Sequence, residues 1–197
     1  MRLLFLSLAL VSAAPALADV ELSFYGGWQG ASAGEVTLSN PTDGSTEESL
    51  DGSGLYGVRA TWWGEGGFGL GADFTRFGGD EGDGDDLSFG GLDVLTVNGM
   101  RRWDDGFGRV TPYVGAGLGV AMSEIEVAEG VGSSEAEVTG PAVSWMAGAS
   151  LPISESWSVF GEYKGIYASG DADLDEAGTV DADTVTNSIN LGVSFSF

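Results

Sequence analysis

Ser188-Ile189-Asn190-Leu191-Gly192-Val193-Ser194-Phe195-Ser196-Phe197 closes the chain. Large apolar residues occupy every second position, small or polar ones the positions between, and Phe stands last. A period of two puts successive side chains on opposite faces of a strand. One face here is wholly apolar, and the other has no large side chain. A soluble β-sandwich would bury the large apolar residues between two sheets. A strand with bulky apolar residues on one face and Ser, Asn and Gly on the other suits a narrow barrel in lipid, with the apolar face outward.

The same pattern recurs toward the N-terminus. Val20, Leu22, Phe24, Gly26 and Trp28 alternate with Glu21, Ser23, Tyr25 and Gln29. Tyr56, Val58, Ala60 and Trp62 face away from Arg59 and Thr61, and Phe68, Leu70, Ala72 and Phe74 away from Asp73 and Thr75. Leu95, Val97 and Trp103 are expected outward, with Thr96, Asn98 and Arg102 inward. Val110 to Val120, Val143 to Ile153 and Trp157 to Tyr167 complete the set. That makes eight strands, each long enough to cross a bilayer, which takes roughly 9–11 tilted residues. The connections alternate in length. Ala31 to Ser53, Gly78 to Gly91, Ser123 to Gly140 and Ala168 to Asp183 are long, whereas Trp63 to Gly66, Asp104 to Gly108 and Ser154 to Ser156 are short. Outer-membrane barrels have long extracellular loops and short periplasmic turns. The expected fold is therefore all-β: an eight-stranded antiparallel transmembrane β-barrel with four long acidic extracellular loops and three short periplasmic turns. Trp62, Trp63, Phe68, Trp103, Phe107, Trp157 and Phe197 are expected to form a periplasmic aromatic girdle, and Tyr25, Trp28, Phe77, Phe89 and Tyr167 an outer one.

Met1-Arg2, the apolar run Leu3 to Val11 and Ala16-Leu17-Ala18 read as a signal peptide over residues 1–18. Residues 19–197 are then the barrel domain. Its expected place is the cell outer membrane of a Gram-negative bacterium. No later stretch reaches 18 consecutive apolar residues, so no membrane-spanning helix is expected.

Composition narrows the chemistry. The 197 residues include no Cys and no His. That excludes disulfides, thiol nucleophiles, zinc ribbons and the usual base of a serine triad. Thirty acidic residues against seven basic ones, a formal charge of -23, argue against a nucleic-acid partner. Twenty-one of the 30 acids lie in the four long connections, which carry no Lys or Arg. These acidic loops read first as solvated, mutually repelling surface, with diffuse divalent cations as the candidate cofactors and no specific metal site. Asp171, Asp173 and Asp175 open like an EF-hand, but Glu176 replaces the required Gly and Ala182 the required Glu. Inside the barrel the charges are Glu21, Arg59, Asp73, Glu162 and Lys164, with Arg102 near them. Buried charges need partners, so an interior ion-pair network is expected, with Glu162 beside Lys164. The glycines of Gly115-Ala116-Gly117-Leu118-Gly119 are expected to make room for Tyr113 and Phe160. Phe197 is the expected assembly signal, read by the outer-membrane assembly machinery.

Thr111-Pro112-Tyr113-Val114-Gly115-Ala116-Gly117-Leu118-Gly119 and the terminal strand resemble the small outer-membrane barrels that include OmpA-like and porin-like proteins. More narrowly, Glu21 to Gln29, Tyr56 to Trp63, Trp157 to Tyr167 and Thr186 to Phe195 resemble the alphaproteobacterial lipid A oxidase family. That resemblance implies oxygen-dependent oxidation of the proximal glucosamine of lipid A in lipopolysaccharide to an aminogluconate unit. It carries over no catalytic residue. A site on lipid A would sit at the outer-leaflet headgroup level, near Tyr25, Gln29, Arg76, Asp93, Tyr167 and Asn187. The alternative is a non-enzymatic barrel serving surface structure, adhesion or envelope integrity. Under either reading the expected partners are outer-membrane lipid and lipopolysaccharide, and the chain is expected to be a monomer.

Overall fold

The computed structural model describes residues 19–30, 34–37, 53–78, 87–105, 107–129, 132–174 and 178–197. The segment read as a leader and the Phe89 side chain lie outside the described part. Nine strands lie among the described residues: β1 (Asp19–Gln29), β2 (Gly34–Thr37), β3 (Gly54–Trp63), β4 (Phe68–Phe77), β5 (Leu87–Arg102), β6 (Thr111–Glu129), β7 (Gly132–Pro152), β8 (Trp157–Leu174) and β9 (Gly178–Ser196). Eight form the wall, in the order β1-β3-β4-β5-β6-β7-β8-β9, and β9 pairs back onto β1. All these pairings are antiparallel. Closure leaves no sheet edge in the hydrocarbon region, where unpaired backbone groups would have no water to bond. The small strand β2 adds to the upper part of β9.

The strands are staggered. Tracing paired residues round the wall from Ser23 leads through Arg59, Asp73, Thr96, Gly119, Ala142 and Ala168 to Thr184. The direct partner of Ser23 on β9 is Ser194, ten residues further along. This shear tilts the strands, and with only eight of them the interior is just wide enough for side chains to fill.

Alternation sets the faces. Leu191 is 71 % exposed and its neighbour Asn190 is fully buried. Trp28, Trp62, Phe68, Trp103, Phe107, Trp157, Tyr167 and Phe197 are exposed on the outer surface. Three residues expected in the girdles point inward instead: Trp63, Tyr25 and Phe77. Each is in step with an inward neighbour (Thr61, Ser23 and Thr75), and strand parity overrides closeness to an end. Inward Tyr25, Tyr113 and Phe160 fit because a glycine faces each on the adjacent strand. A Cβ at Gly57 would meet the Tyr25 ring, one at Gly148 the Tyr113 ring, and one at Gly192 the Phe160 ring. Pairing large with small is how narrow barrels fill. The glycines that receive Tyr113 and Phe160 are thus Gly148 and Gly192. Gly115 faces Met100 and Met146, and Gly117 faces Asn98.

Much of the sequence expected as loop is strand. β6 and β7 stay paired up to Glu129 and Gly132, and β8 and β9 up to Leu174 and Gly178. Antiparallel ladders prolong themselves wherever both chains stay extended, and these segments contain no proline to stop them. The short turns are tight. Between β3 and β4, Gly66 and Gly67 take φ of 74° and 77°, which a residue with a Cβ adopts only at a cost.

Candidate functional site

Four charged residues meet halfway along the barrel. Arg59 on β3 lies directly opposite Asp73 on β4. Its Nε donates to Asp73 Oδ2 at 2.8 Å. Its Nη2 crosses the lumen to Glu162 on β8, at 2.7 and 2.9 Å from the two carboxylate oxygens. Lys164, two residues along β8 and therefore on the same face, donates to Asp73 Oδ1, to Tyr25 OH at 2.8 Å and to Thr75 Oγ1 at 2.7 Å. Tyr113 OH donates to Glu162 Oε2 at 2.9 Å. Arg59, Asp73, Glu162 and Lys164 are each 3 % exposed or less.

Two cations and two carboxylates make the cluster neutral. It ties β3 and β4 to β8, on the far side of the lumen, and Tyr25 and Tyr113 extend it to β1 and β6. Taking charges out of water is expensive and is offset only when each retains partners of good geometry. The structure brings Arg59, Asp73, Glu162 and Lys164 together but leaves Glu21 out, its nearest recorded partner being Ser23. The partner of Glu162 is Arg59, not Lys164 as its position on β8 suggests. The two β8 side chains are parallel neighbours, and each reaches across the lumen to a different strand. Arg102 lies at the rim, bonded to Asp19 at 3.4 Å and Asp104 at 3.1 Å. Phe197 seals the seam: its N–H donates to Val20 O at 3.0 Å, and its carbonyl accepts from Val20 N–H at 3.2 Å.

Tyr25, Thr75 and Tyr113 belong to the cluster but were absent from the charged set. Strand parity would have found them. Asn98, bonded to Thr96 and Ser144, forms a separate polar ladder nearby.

The cluster separates two unlike halves. Toward the periplasmic end, a cavity of about 400 Å³ lined by Glu21, Ser23, Tyr113, Ser150, Ser158 and Ser194 reaches down to Arg59. Toward the loop end the interior turns apolar: Leu55, Phe77, Val94, Ala121, Ala142, Ile166 and Ala168 are all buried.

The six residues expected near the lipid A headgroup do not converge. Tyr25 and Gln29 are buried inside the barrel. Arg76 and Asp93 pair at 3.3 Å on β4 and β5. Tyr167 and Asn187 lie on β8 and β9, on the opposite side of the wall, and Asn187 accepts from Tyr163 OH at 2.6 Å.

A closed eight-stranded wall with an apolar outside, aromatic rims and a braced polar core defines an integral outer-membrane barrel. The family described as outer membrane protein beta-barrel domain matches residues 3–197, and the chain belongs to it. Among solved structures it is similar to Neisserial surface protein A, with 16 % identity, coverage of 91 % of this chain and 99 % of that one, and a TM-score of 0.62. It is also similar to OprG from Pseudomonas aeruginosa, at 12 % identity, 92 % and 96 % coverage and a TM-score of 0.57. A third is Ail, the attachment invasion locus protein of Yersinia pestis, in complex with sucrose octasulfate; here identity is 13 %, coverage 92 % and 99 %, and the TM-score 0.55. At these identities the likeness is one of fold. No curated protein matches the sequence significantly. The protein resides in the outer membrane.

Proposed function

We propose that this protein is a non-enzymatic, monomeric barrel that serves the structure of the envelope and carries acidic β-ladders at the cell surface. The observation that supports this best is the state of the interior charges. Arg59, Asp73, Glu162 and Lys164 are bonded to one another and sealed from lipid. Catalytic acids and bases must reach a substrate, and these do not. The apolar layer above them and the cavity below fit a plugged barrel, not a pore. Divalent cations are the proposed link between the acidic ladders and the phosphates of neighbouring lipopolysaccharide, since both surfaces are negative.

Oxidation of lipid A is the second reading, and it rests on the resemblance of four strands to the lipid A oxidase family. Mass spectrometry of lipid A from a deletion strain separates the two. An unchanged spectrum, together with greater sensitivity of the cells to chelators, is the expected outcome. A mass difference of one oxygen in the proximal sugar would overturn the proposal in favour of the enzyme.

A further inference from the structure

We propose that the periplasmic rim at the β3–β4 turn binds the headgroup of an inner-leaflet phospholipid bearing both a phosphate and a protonated amine. The argument begins with Arg101. Among the described residues the other four arginines all have acceptors: Arg59 has two carboxylates, Arg76 has Asp93, Arg102 has Asp19 and Asp104, and Arg109 has the Pro152 carbonyl. Arg101 has none. Its Nη1 is buried without a hydrogen-bond partner, and leaving a buried charged donor unmet is costly.

The placement of Arg101 says what would meet it. It lies opposite Phe68 across β4 and β5. Its guanidinium lies 4.3 Å from the Phe68 ring centroid and 5.9 Å from that of Trp103. Both rings are on the outer surface, 66 % and 40 % exposed, where an aromatic girdle meets the headgroups. Stacking holds the planar fork in one orientation without using its N–H groups, and a shift of this rim side chain would turn them, the buried Nη1 included, toward phosphate oxygens. The turn adds no side chain to the cover over that nitrogen. Gly66 has no side chain, and a Cβ there would sit 3.9 Å from Arg101 Nη1. The cavity beside it, about 470 Å³, is lined by Gly64, Glu65, Gly66, Gly67, Arg101 and Asp105 among others. Trp63 lines it too, and its buried Nε1 is a second donor without an acceptor.

The acids in this cavity decide the headgroup. Asp19 and Asp104 are held by Arg102. Glu65 and Asp105 have no recorded ion pair among the described residues, and they would repel a purely anionic lipid. A zwitterionic headgroup resolves this, with its phosphate on Arg101 and its ammonium toward Glu65 and Asp105.

Native mass spectrometry of the detergent-solubilised protein, titrated with phosphatidylethanolamine, phosphatidylglycerol or phosphatidylcholine, tests the site. The expected result is one retained phosphatidylethanolamine, bound more tightly than either of the others. R101Q should weaken it by about tenfold, the loss of one charge-assisted contact. The double variant E65Q/D105N should abolish the preference over phosphatidylglycerol, weakening phosphatidylethanolamine and strengthening phosphatidylglycerol. Heat-modifiable migration checks that each variant is folded, and R101K, which keeps the charge, provides a second measure at an intermediate affinity. Equal retention by wild type and R101Q would overturn the proposal. So would tighter binding of phosphatidylglycerol than of phosphatidylethanolamine, or displacement of the lipid by equimolar inorganic phosphate, which would mark a free-anion site.

Discussion

The barrel's mid-section and the ladders above it treat charge in opposite ways. In the mid-section every charge faces one of the other sign: Arg59 lies opposite Asp73 in register and reaches Glu162 across the lumen. In the ladders like charges oppose each other, Glu124 with Glu137 and Glu126 with Glu135 on β6 and β7, and Asp171 with Asp181 on β8 and β9. Cross-strand like charges are destabilising, yet the register tolerates several. The difference lies in the surroundings. Halfway along the barrel Arg59, Asp73, Glu162 and Lys164 are cut off from bulk water, so each needs a partner. Above the membrane, water and salt reduce repulsion between exposed carboxylates to about 1 kcal/mol or less. The backbone ladder then holds despite it.

The hardest test of this contrast is Arg59→Ala. It leaves both Asp73 and Glu162 without their shared cation, and removing one partner of a buried pair costs about 3–5 kcal/mol. Urea unfolding in liposomes should show that loss, and Glu162→Ala should fall in the same range. In a double-mutant cycle the two should couple strongly. Additive effects would mean that the pair seen at 2.7 Å contributes little.

A second test concerns the seam. Deleting Phe197 removes two backbone hydrogen bonds to Val20 and the last outward aromatic. We propose that the assembly machinery reads this residue, so the deletion should lower the membrane-inserted, heat-modifiable fraction and expose the chain to periplasmic proteases. Wild-type insertion of the deletion would remove Phe197 from that role.

Packing inside the barrel should respond less than charge. Gly57→Ala puts a methyl group into the Tyr25 ring, and overpacking costs about 1–3 kcal/mol. Its urea midpoint should lie between those of Arg59→Ala and wild type. A midpoint below that of Arg59→Ala would make ring packing, not ion pairing, the main constraint on the lumen.

The smallest effects belong to the ladders. Glu135→Ala should shift stability by only about 0–0.5 kcal/mol, as surface changes usually do. Removing divalent cations at fixed ionic strength should increase protease cutting in residues 123–140 and 168–183 while leaving the β circular-dichroism signal unchanged. Identical cutting with calcium, magnesium and chelator would leave the ladders without a cation partner. Loss of the β signal would reverse the comparison, making the ladders the part that holds the barrel.

Legibility followed the range of the interactions. Alternation is local, so the eight wall strands, their two faces and the inward course of Arg59, Asp73, Glu162 and Lys164 could be read directly. The aromatic girdles were legible only where parity was respected: Trp62 and Trp63 are adjacent, yet one faces out and the other in. The long connections were drawn too wide because their acidic runs read as solvated loop, although Glu124 to Val127, Glu135 to Val138 and Asp171 to Leu174 also alternate with apolar residues. A ladder outside the membrane can carry such charge, since water covers it.

By itself the sequence determined which residues face lipid and which face the lumen, because a strand turns its side chains over at every residue whatever surrounds it. It also determined that Glu21, Arg59, Asp73, Glu162 and Lys164 would share that lumen. Only the tertiary structure decided which of them bond. The ten-residue stagger between Thr184 and Ser194 sets the height of each strand relative to the others. That height carries Arg59 to Glu162 and Lys164 to Asp73, and it leaves Glu21 and Arg102 nearer the periplasmic rim. Shear belongs to the closed barrel as a whole, so no single strand contains it.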